Sequence, residues 1–336
     1  MKEKLLFFVK KRARGVYYVL LPLVLVVFNF FFKFNYITKR DISFDEPYSI
    51  LFACQSLKKI IVDVYTVEPH PPLFNIILHF WIKLFGVEPL TLRLVPLFIS
   101  CITVLYIFKT CRRYINDFAG VLASCFFIFS WLHIYISLEV RSYALLSMAT
   151  AMSVYYLMKF LEKDKKASFW GLIISNALLI YSHYLGLVYI GVQGLIVICF
   201  LFFRDRKFFW DYFKIMLIVN ILYSPIWTAL LIMLYKGNAP FYMDFLPASY
   251  AYHVFIDFFQ GTTKISIPLV VVCFFVVVFC SINKRQFPVK MVVFLSLSVL
   301  TFVLIFLFSY KTHLFSGKYV AFTSIPLYVF ISYVFS

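Results

Sequence analysis

The chain has 336 residues, of which 63% are hydrophobic, 21% aromatic and only 14% charged, and its formal net charge at pH 7 is +17. With a mean hydropathy of +0.91, it carries too few polar side chains to cover a soluble domain of this size. The composition therefore excludes a soluble globular protein and predicts an all-α integral membrane protein.

Apolar segments of about 20 residues, the length at which a helix crosses a bilayer, recur along the whole chain. Short charged connections separate ten predicted spans, which cover residues 16–36, 90–110, 118–137, 142–160, 168–185, 187–203, 213–235, 265–282, 290–309 and 319–335. We therefore expect one polytopic domain over residues 1–336, a helical bundle with about ten transmembrane helices.

Six basic residues precede the first span, and no small-residue cleavage site follows it, which is typical of a retained anchor with a cytoplasmic N-terminus. On that assumption 20 of the 32 Lys and Arg residues fall on the cytoplasmic side, in agreement with the positive-inside rule. The net charge is then explained by loops that face anionic lipid, and it indicates no nucleic-acid partner. We expect a multi-pass protein of the inner or plasma membrane.

The seven cysteines are scattered, six of them in or beside predicted spans, and none forms a CxxC motif. This distribution is typical of small hydrophobic core residues and indicates neither a disulfide framework nor a metal site. The sequence also contains no Gly-rich phosphate loop, HExxH motif or nucleotide-binding fingerprint, so it gives no support for ATP or a nucleotide-activated donor.

The longest stretch that is not simply apolar is the predicted first extracytoplasmic loop, residues 39–89. Its adjacent carboxylates Asp45 and Glu46 repel each other, so we expect at least one to hold a proton, a cation or a basic partner. The alternative interpretation is a solvated acidic turn closed by Pro47. If the protein performs chemistry, this loop is where the sequence places it.

Two interfacial helices are predicted in the same loop. Residues 44–62 place apolar side chains on one face, as in a helix that lies on the membrane surface. A second helix begins after two prolines and is too short to cross the bilayer. On it, Asn75, His79 and Lys83 form one polar stripe, which we expect to face protein or lipid headgroups.

Several polar residues near other span ends fall on the same predicted side. Arg93, at the start of the second span, is costly there unless it is paired or reaches the interface. Glu139 and Arg141 precede the fourth span; buried together they would pair and position a polar substrate, whereas an exposed pair would contribute little. His183, flanked by tyrosines, is by itself most typical of an interfacial residue.

The order of these residues resembles the GT-C membrane glycosyltransferases of family 39, which include protein O-mannosyltransferases and the aminoarabinose transferases that modify lipid A. The resemblance covers roughly residues 15–330, and Phe74 and Lys318 stand where the family usually has Tyr and Arg. Its motifs are Asp45-Glu46, His70-Pro71-Pro72-Leu73-Phe74, Arg93, Glu139-Val140-Arg141-Ser142-Tyr143, Tyr181-Ser182-His183-Tyr184-Leu185-Gly186 and Lys318-Tyr319.

The resemblance implies a GT-C-like bundle that transfers a hexose or pentose from a polyprenyl-phosphate-linked donor, with inversion, to an extracytoplasmic acceptor: a protein, lipid A or a cell-envelope glycan. It implies that Asp45 is the general base or acceptor-orienting carboxylate and that Glu46 is its partner. The implied substrate-binding residues are Glu68, His70, Arg93, Glu139, Arg141, His183, Lys318 and Tyr319. No cofactor is required, although the oxygen ligands of the carboxylate pair would suit a divalent cation.

Relatives commonly continue into further helices or a periplasmic domain, so we expect a compact or truncated member. Two other classes stay open. A transporter or lipid-linked sugar flippase would place charged residues near the middle of the membrane, and a structural subunit would not bring Asp45, Arg141 and Lys318 together. The enzyme hypothesis requires Asp45 within about 15 Å of one of these cations, because a larger separation exceeds a Debye length.

Overall fold

The structure, a computed structural model, describes residues 2–39, 43–63, 70–162, 164–201, 205–236, 248–259, 289–312 and 315–336. Within these residues the only regular secondary structure is helical, which confirms the all-α class. The helices are α1 (Lys2–Phe34), α2 (Glu46–Ala53), α3 (Leu57–Asp63), α4 (Leu73–Phe85), α5 (Pro89–Tyr114), α6 (Asp117–Phe129), α7 (Trp131–Ile136), α8 (Tyr143–Leu161), α9 (Lys165–Ser182), α10 (Leu185–Leu201), α11 (Arg206–Lys236), α12 (Ala248–Asp257), α13 (Val289–Thr312), α14 (Gly317–Val320) and α15 (Ser324–Val334).

Five of the described helices are long and apolar enough to cross a membrane, which agrees with a multi-pass membrane protein. The count of ten spans is not confirmed. The predicted span over residues 265–282 lies outside the described residues, and several others correspond to apolar helices shorter than 18 residues. The five long segments are Tyr17–Phe34, Pro89–Tyr114, Tyr143–Leu161, Arg206–Ile232 and Lys290–Ser309.

Two predicted helices are each divided in two by a serine. The predicted span over residues 118–137 breaks at Ser130, whose backbone is extended (φ −60°, ψ 122°) and whose hydroxyl accepts a hydrogen bond from the His133 N–H, 3.4 Å away. The predicted surface helix over residues 44–62 becomes α2 and α3, because Ser56 Oγ accepts an N–H of α3 at 3.4 Å. Serine favours a helix N-terminus, where it satisfies an N–H that has no partner within the helix.

The predicted last span, residues 319–335, is also interrupted. It consists of α14, a 3-10 turn over Ala321–Thr323, and α15. Pro326 lies in the first turn of α15, a position that a proline tolerates because the first N–H groups of a helix have no partner within the helix. As a result Lys318 belongs to a separate short helix and not to the last apolar one.

Helix α8 is the centre of the bundle and is buried along most of its length. It packs between α5 and α9, and small residues such as Ala149 and Ala151 let the neighbouring helices approach closely. One end of α8 carries Tyr143 and the segment that precedes it, so the position of the central helix fixes where that segment lies.

Polar clusters lie at opposite ends of α5 and α8. At one end Arg113 Nη2 is 3.4 Å from Glu162 Oε2, and Lys290 forms an ion pair with the same glutamate. Arg93 and Tyr143 lie at the other end of these helices. Helix α5 has 26 residues, so its two ends are about 39 Å apart, close to the thickness of a bilayer with its headgroups.

A closed ring of hydrogen bonds joins α8, α9 and α10 inside the bundle. Ser153 Oγ donates to Asn176 Oδ1 (2.8 Å), Asn176 Nδ2 donates to Gln193 Oε1 (2.8 Å), and Gln193 Nε2 donates to Ser153 Oγ (2.9 Å). The Tyr212 hydroxyl of α11 adds a bond to Gln193 Oε1 at 3.2 Å. We refer to Ser153, Asn176 and Gln193 as the polar ring. All three side chains are buried, and each amide finds a partner that lipid could not supply.

Candidate active site

Asp45, just before α2, forms an ion pair with Lys318 of α14. Lys318 Nζ also lies 3.7 Å from Glu139 Oε1, so the lysine stands between two carboxylates. Burial raises the pKa of Asp45, but the hydrogen bond and charge of Lys318, with further positive charge nearby, outweigh burial and lower the pKa below 3.8. Burial lowers the pKa of Lys318, but the two carboxylates outweigh it and raise the pKa above 10.5. Both groups are therefore charged at neutral pH.

Glu46 has partners on both of its oxygen atoms and is buried. Its Oε2 accepts a hydrogen bond from the Ser43 N–H at 2.7 Å and lies 3.5 Å from Arg93 Nη2, and its Oε1 accepts from the Val140 N–H at 3.0 Å. Arg93 also donates to the Ile37 carbonyl at 2.7 Å. Glu46 thus joins three segments of chain, and its neighbour Asp45 has a different basic partner.

The segment before α8 is tied to the first loop by two further hydrogen bonds. Ser43 Oγ donates to Glu139 Oε1 at 3.1 Å, and Arg141 Nη1 donates to Ser49 Oγ at 3.0 Å. Residues about 90 positions apart in the sequence are therefore held within hydrogen-bonding distance. This arrangement places Arg141 beside the start of α2.

Accessibility separates the three carboxylates Asp45, Glu46 and Glu139, which we call the carboxylate cluster. The Asp45 side chain is 35% exposed, whereas that of Glu46 is 1% exposed and that of Glu139 is fully buried. Only Asp45 of these three can meet an incoming acceptor. The other two are in positions that orient the loop and Lys318.

Four aromatic rings pack together, and two of them, Tyr143 and Tyr319, lie next to Lys318. The ring centre of His183 lies 5.0 Å from that of His70, 5.9 Å from that of Tyr143 and 5.6 Å from that of Tyr319, and the two tyrosine rings are 5.5 Å apart. Lys318 Nζ lies 5.5 Å from the centre of the Tyr143 ring. We call His70, Tyr143, His183 and Tyr319 the aromatic cluster. It adjoins the carboxylate cluster through Lys318.

A tight turn between α9 and α10 places His183 in this cluster. The backbone of His183 is extended (φ −162°, ψ 144°), and its Nδ1 accepts a hydrogen bond from the Leu185 N–H at 3.2 Å. A Cβ atom at Gly186 would lie 2.5 Å from the Leu179 carbonyl oxygen. Only glycine lets the turn close against the end of α9, which explains the Gly that follows the His-Tyr-Leu sequence.

The predicted polar stripe of α4 faces protein. His79 Nδ1 donates to the Ala53 carbonyl at 2.8 Å, which joins α4 to α2, and Asn75 is also buried, whereas Lys83 is exposed. Phe74, where the resemblance leads us to expect a tyrosine, is buried in a small apolar core together with Val140. That apolar core packs against the first loop.

The two neighbouring clusters contain six of the ten predicted site residues, and three more, Arg93, Arg141 and Lys318, lie against the carboxylate cluster. Glu68 lies outside the described residues. A buried cation outside both clusters, which the sequence did not single out, is Lys33 near the end of α1; its Nζ donates to Ser137 Oγ at 3.0 Å and lies 4.2 Å from the centre of the Phe127 ring. A lysine at the end of an apolar span is the signal that could have found it.

The carboxylate pair does not suit the divalent cation that the sequence left open. Glu46 already accepts two backbone N–H groups and faces Arg93, and Asp45 is paired with Lys318, so a metal ion bridging the two carboxylates would have to displace these partners. Among the described residues there is also no group of three or more His, Cys, Asp or Glu that could hold a metal ion. We therefore derive no catalytic step through a metal.

The fold is GT-C-like, since it is similar to that of solved structures of ArnT. The structure of ArnT from Cupriavidus metallidurans bound to undecaprenyl phosphate matches 95% of this chain with a TM-score of 0.66 and 13% sequence identity. The apo structure of the same ArnT matches 96% of the chain with a TM-score of 0.65 and 14% identity. This chain spans 60% of the length of each ArnT chain.

The sequence likeness is more limited. Residues 69–229 match the family model described as dolichyl-phosphate-mannose-protein mannosyltransferase. No curated protein matches the sequence. The family resemblance seen in the motifs is thus confirmed over that segment, which contains Arg93, Glu139, Arg141 and His183.

Proposed function

We propose that this protein transfers a sugar from a polyprenyl-phosphate-linked donor to an acceptor hydroxyl outside the cytoplasm. The observation that carries the proposal is the contact between Asp45, the accessible carboxylate, and Lys318. A base for the acceptor and a cation for the leaving phosphate are the two groups that such a transfer needs. The family match and the likeness to an ArnT bound to undecaprenyl phosphate support the class of donor.

In this proposal Asp45 accepts the proton of the acceptor hydroxyl. The acceptor oxygen attacks the anomeric carbon of the sugar, and the bond from that carbon to the phosphate oxygen breaks. Polyprenyl phosphate leaves with the electron pair, and Lys318 and Arg141 stabilise its charge. A single displacement of this kind inverts the anomeric centre, as we expect here.

The ion pair suggests an order of events. Lys318 lowers the pKa of Asp45, so Asp45 is a weak base while the two are paired. A donor phosphate that draws Lys318 towards itself raises the pKa of Asp45, and the carboxylate becomes a better proton acceptor. Binding of the donor thereby prepares Asp45 for the acceptor.

The remaining site residues are assigned supporting roles. Glu46 and Arg93 hold the loop that carries Asp45, and Glu139 holds Lys318 from its other side. His70, His183 and Tyr319 belong to the surface that meets the donor. Glu68 keeps the substrate-binding role that the family resemblance implies. We further propose that the N-terminus is cytoplasmic and that this site faces outward from the inner or plasma membrane.

The experiment is a comparison of cells that lack the protein with the same cells producing the wild type, Asp45→Asn or Asp117→Asn. Asp117 is the matched control, since it is also ion-paired, to Arg112, but at the opposite end of the bundle. Mass spectrometry quantifies undecaprenyl-phosphate-linked sugars and surface glycans.

We expect the wild type and the control to consume a lipid-linked sugar and to add that sugar to an acceptor, and Asp45→Asn to lower the transfer by about a hundredfold or more. Full transfer by Asp45→Asn would contradict the assigned base. A sugar that reaches the outer leaflet still attached to its lipid, with no new covalent product, would instead indicate a transporter or flippase.

A further inference from the structure

His183 Nε2 is a buried polar atom with no hydrogen-bond partner among the residues that the structure describes. The residue is 7% exposed. Buried polar atoms nearly always have a partner, because leaving one without a partner is costly. A buried nitrogen without a hydrogen-bond partner beside a candidate active site therefore indicates that an atom of a bound ligand supplies the partner.

The other ring nitrogen determines what Nε2 can do. Because the Leu185 N–H donates to His183 Nδ1, Nδ1 is the acceptor and the proton of the neutral ring is on Nε2. A protonated ring carries a hydrogen on both nitrogens and could not accept this bond, so the arrangement requires the neutral ring. Nε2–H is thus a neutral donor, and its complement is an oxygen atom.

Two more buried polar atoms without a partner among the described residues lie on the adjacent helix. They are the Tyr143 hydroxyl and Ser147 Oγ, four residues apart and hence on one face of α8. Thr150 on the same helix shows the ordinary alternative, since its hydroxyl donates to the Leu146 carbonyl at 2.9 Å. The hydroxyl of Ser147 makes no such bond.

A sugar, whose ring carries several hydroxyl groups, matches this combination of aromatic rings and lone polar atoms. The partly exposed Tyr319 ring offers aromatic surface for the apolar face of a sugar, while the lone polar atoms match its hydroxyl groups. Lys318 lies at the edge of the aromatic cluster, because its Nζ is 5.5 Å from the Tyr143 ring centre and 5.9 Å from that of Tyr319. Sugar and phosphate would therefore occupy neighbouring positions.

We propose that the aromatic cluster binds the sugar of the donor and that His183 donates a hydrogen bond from Nε2 to one of its oxygen atoms. Tyr143 and Ser147 supply further hydrogen bonds, and the His70 ring, which lies against His183, turns aside when the sugar enters. The inference rests on the proposed function, because its ligand is a polyprenyl-phosphate sugar. It makes His183 a specificity-determining residue that recognises the sugar, while Lys318 and Arg141 recognise the phosphate.

Two substitutions separate this role from a structural one. His183→Asn keeps an oxygen near the position of Nδ1, which can still accept the Leu185 N–H, but it removes the donor at Nε2. His183→Gln places an amide N–H near the position of Nε2 and gives up the acceptor at Nδ1. A structural role of the turn predicts that Asn is the better replacement, and the sugar-binding role predicts that Gln is.

The measurement is the Kd of the purified full chain in nanodiscs for undecaprenyl phosphate and for the same lipid phosphate carrying mannose, glucose or aminoarabinose. The probe for the variants is whichever sugar the wild type binds more tightly than undecaprenyl phosphate. We expect His183→Asn to weaken binding of that sugar lipid by about fivefold to tenfold and to leave undecaprenyl phosphate unchanged. We expect His183→Gln to stay within about twofold of the wild type for both.

Three results would overturn the inference: equal Kd values of His183→Asn and the wild type for the sugar lipid, an equal loss for both lipids, or a wild type that binds no sugar lipid more tightly than undecaprenyl phosphate. Binding of undecaprenyl phosphate shows in each case that the variant is folded. If the wild type binds neither kind of lipid, the proposed function itself fails, and this outcome is distinct from the other three.

Discussion

Asp45 and Lys318 form an ion pair across 273 positions of sequence. Asp45 precedes the first short helix after α1, and Lys318 belongs to the short helix before the last one. The site is therefore assembled only when the two ends of the described chain have come together. Substitutions of Lys318 therefore test the proposed chemistry directly.

Replacing Lys318 should change the pH dependence of transfer. In Lys318→Met, Asp45 loses its main positive partner, so its pKa rises. The activity needs ionised Asp45 and falls as the pH drops through that pKa, so the acid limb of the kcat/KM profile should move to higher pH. We also expect a loss in rate of about a hundredfold, because the phosphate loses a cation.

The control is Lys318→Arg, which keeps the charge and should keep the acid limb where the wild type has it. The ion pair also stabilises the fold above the ordinary aspartate pKa of 3.8, and this stabilisation is lost as the pH falls below that value. An acid limb that is unchanged in Lys318→Met would exclude Asp45 as the titrating base.

Glu46 and Arg93 should matter for stability more than for the chemical step. Both are buried, and Glu46→Gln removes the carboxylate charge that faces the Arg93 guanidinium; loss of one member of a buried ion pair typically costs about 3–5 kcal/mol. We expect a lower Tm for the purified protein in detergent. The double variant Glu46→Gln/Arg93→Met should recover part of the loss, since neither charge remains. A variant with the wild-type Tm and no transfer would instead assign Glu46 a direct role in the reaction.

Gly186 should not tolerate alanine. Its Cβ would lie 2.5 Å from the backbone oxygen of Leu179, so the turn between α9 and α10 would have to open, at about 1–3 kcal/mol. The matched control is Gly191→Ala, five residues on in α10, where a Cβ meets nothing within 4 Å and where alanine should stabilise the helix by about 0.5–1 kcal/mol. Equal Tm values for the two variants would contradict the close approach that defines this turn.

For the polar ring we expect a single substitution to destabilise the protein more than a combined one. Gln193→Leu removes partners from Ser153 and Asn176 at once and should cost about 1–3 kcal/mol for each buried group left without one. Replacing all members together with Tyr212, as Ser153→Ala/Asn176→Leu/Gln193→Leu/Tyr212→Phe, should be less harmful than Gln193→Leu alone. A combined variant that unfolds more readily than the single one would show that these bonds add net stability.

The sequence predicts which residues belong to the site better than it predicts which of them form ion pairs or hydrogen bonds with one another. The sequence predicts that at least one of the adjacent Asp45 and Glu46 holds a proton, a cation or a basic partner. Successive residues at the start of a helix point in different directions, so Asp45 pairs with Lys318 and Glu46 faces Arg93. No local pattern could assign these partners, because the loop and α14 are far apart in the chain. Only the packed structure shows that Lys33 contacts Ser137 and that Asp45 is the most exposed residue of the carboxylate cluster.

The helix boundaries show the same division. The long, uniformly apolar segments over residues 90–110 and 290–309 are close to the observed α5 and α13. The sequence predicts continuous helices over residues 118–137 and 44–62, because a single serine, here Ser130 or Ser56, is a weak local signal. In both places the serine oxygen accepts a hydrogen bond from the N–H three residues ahead, and this local bond determines where the new helix starts.

The polar ring also bears on how the chain enters the membrane. Its three members come from successive helices, so the Asn176 amide of α9 has no complete set of partners until α10 has been synthesised. A helix released early into lipid would expose that amide to hydrocarbon. We therefore expect α8, α9 and α10 to leave the insertion machinery as one group, and shortening or replacing any of the three would strand the other two at the lipid boundary.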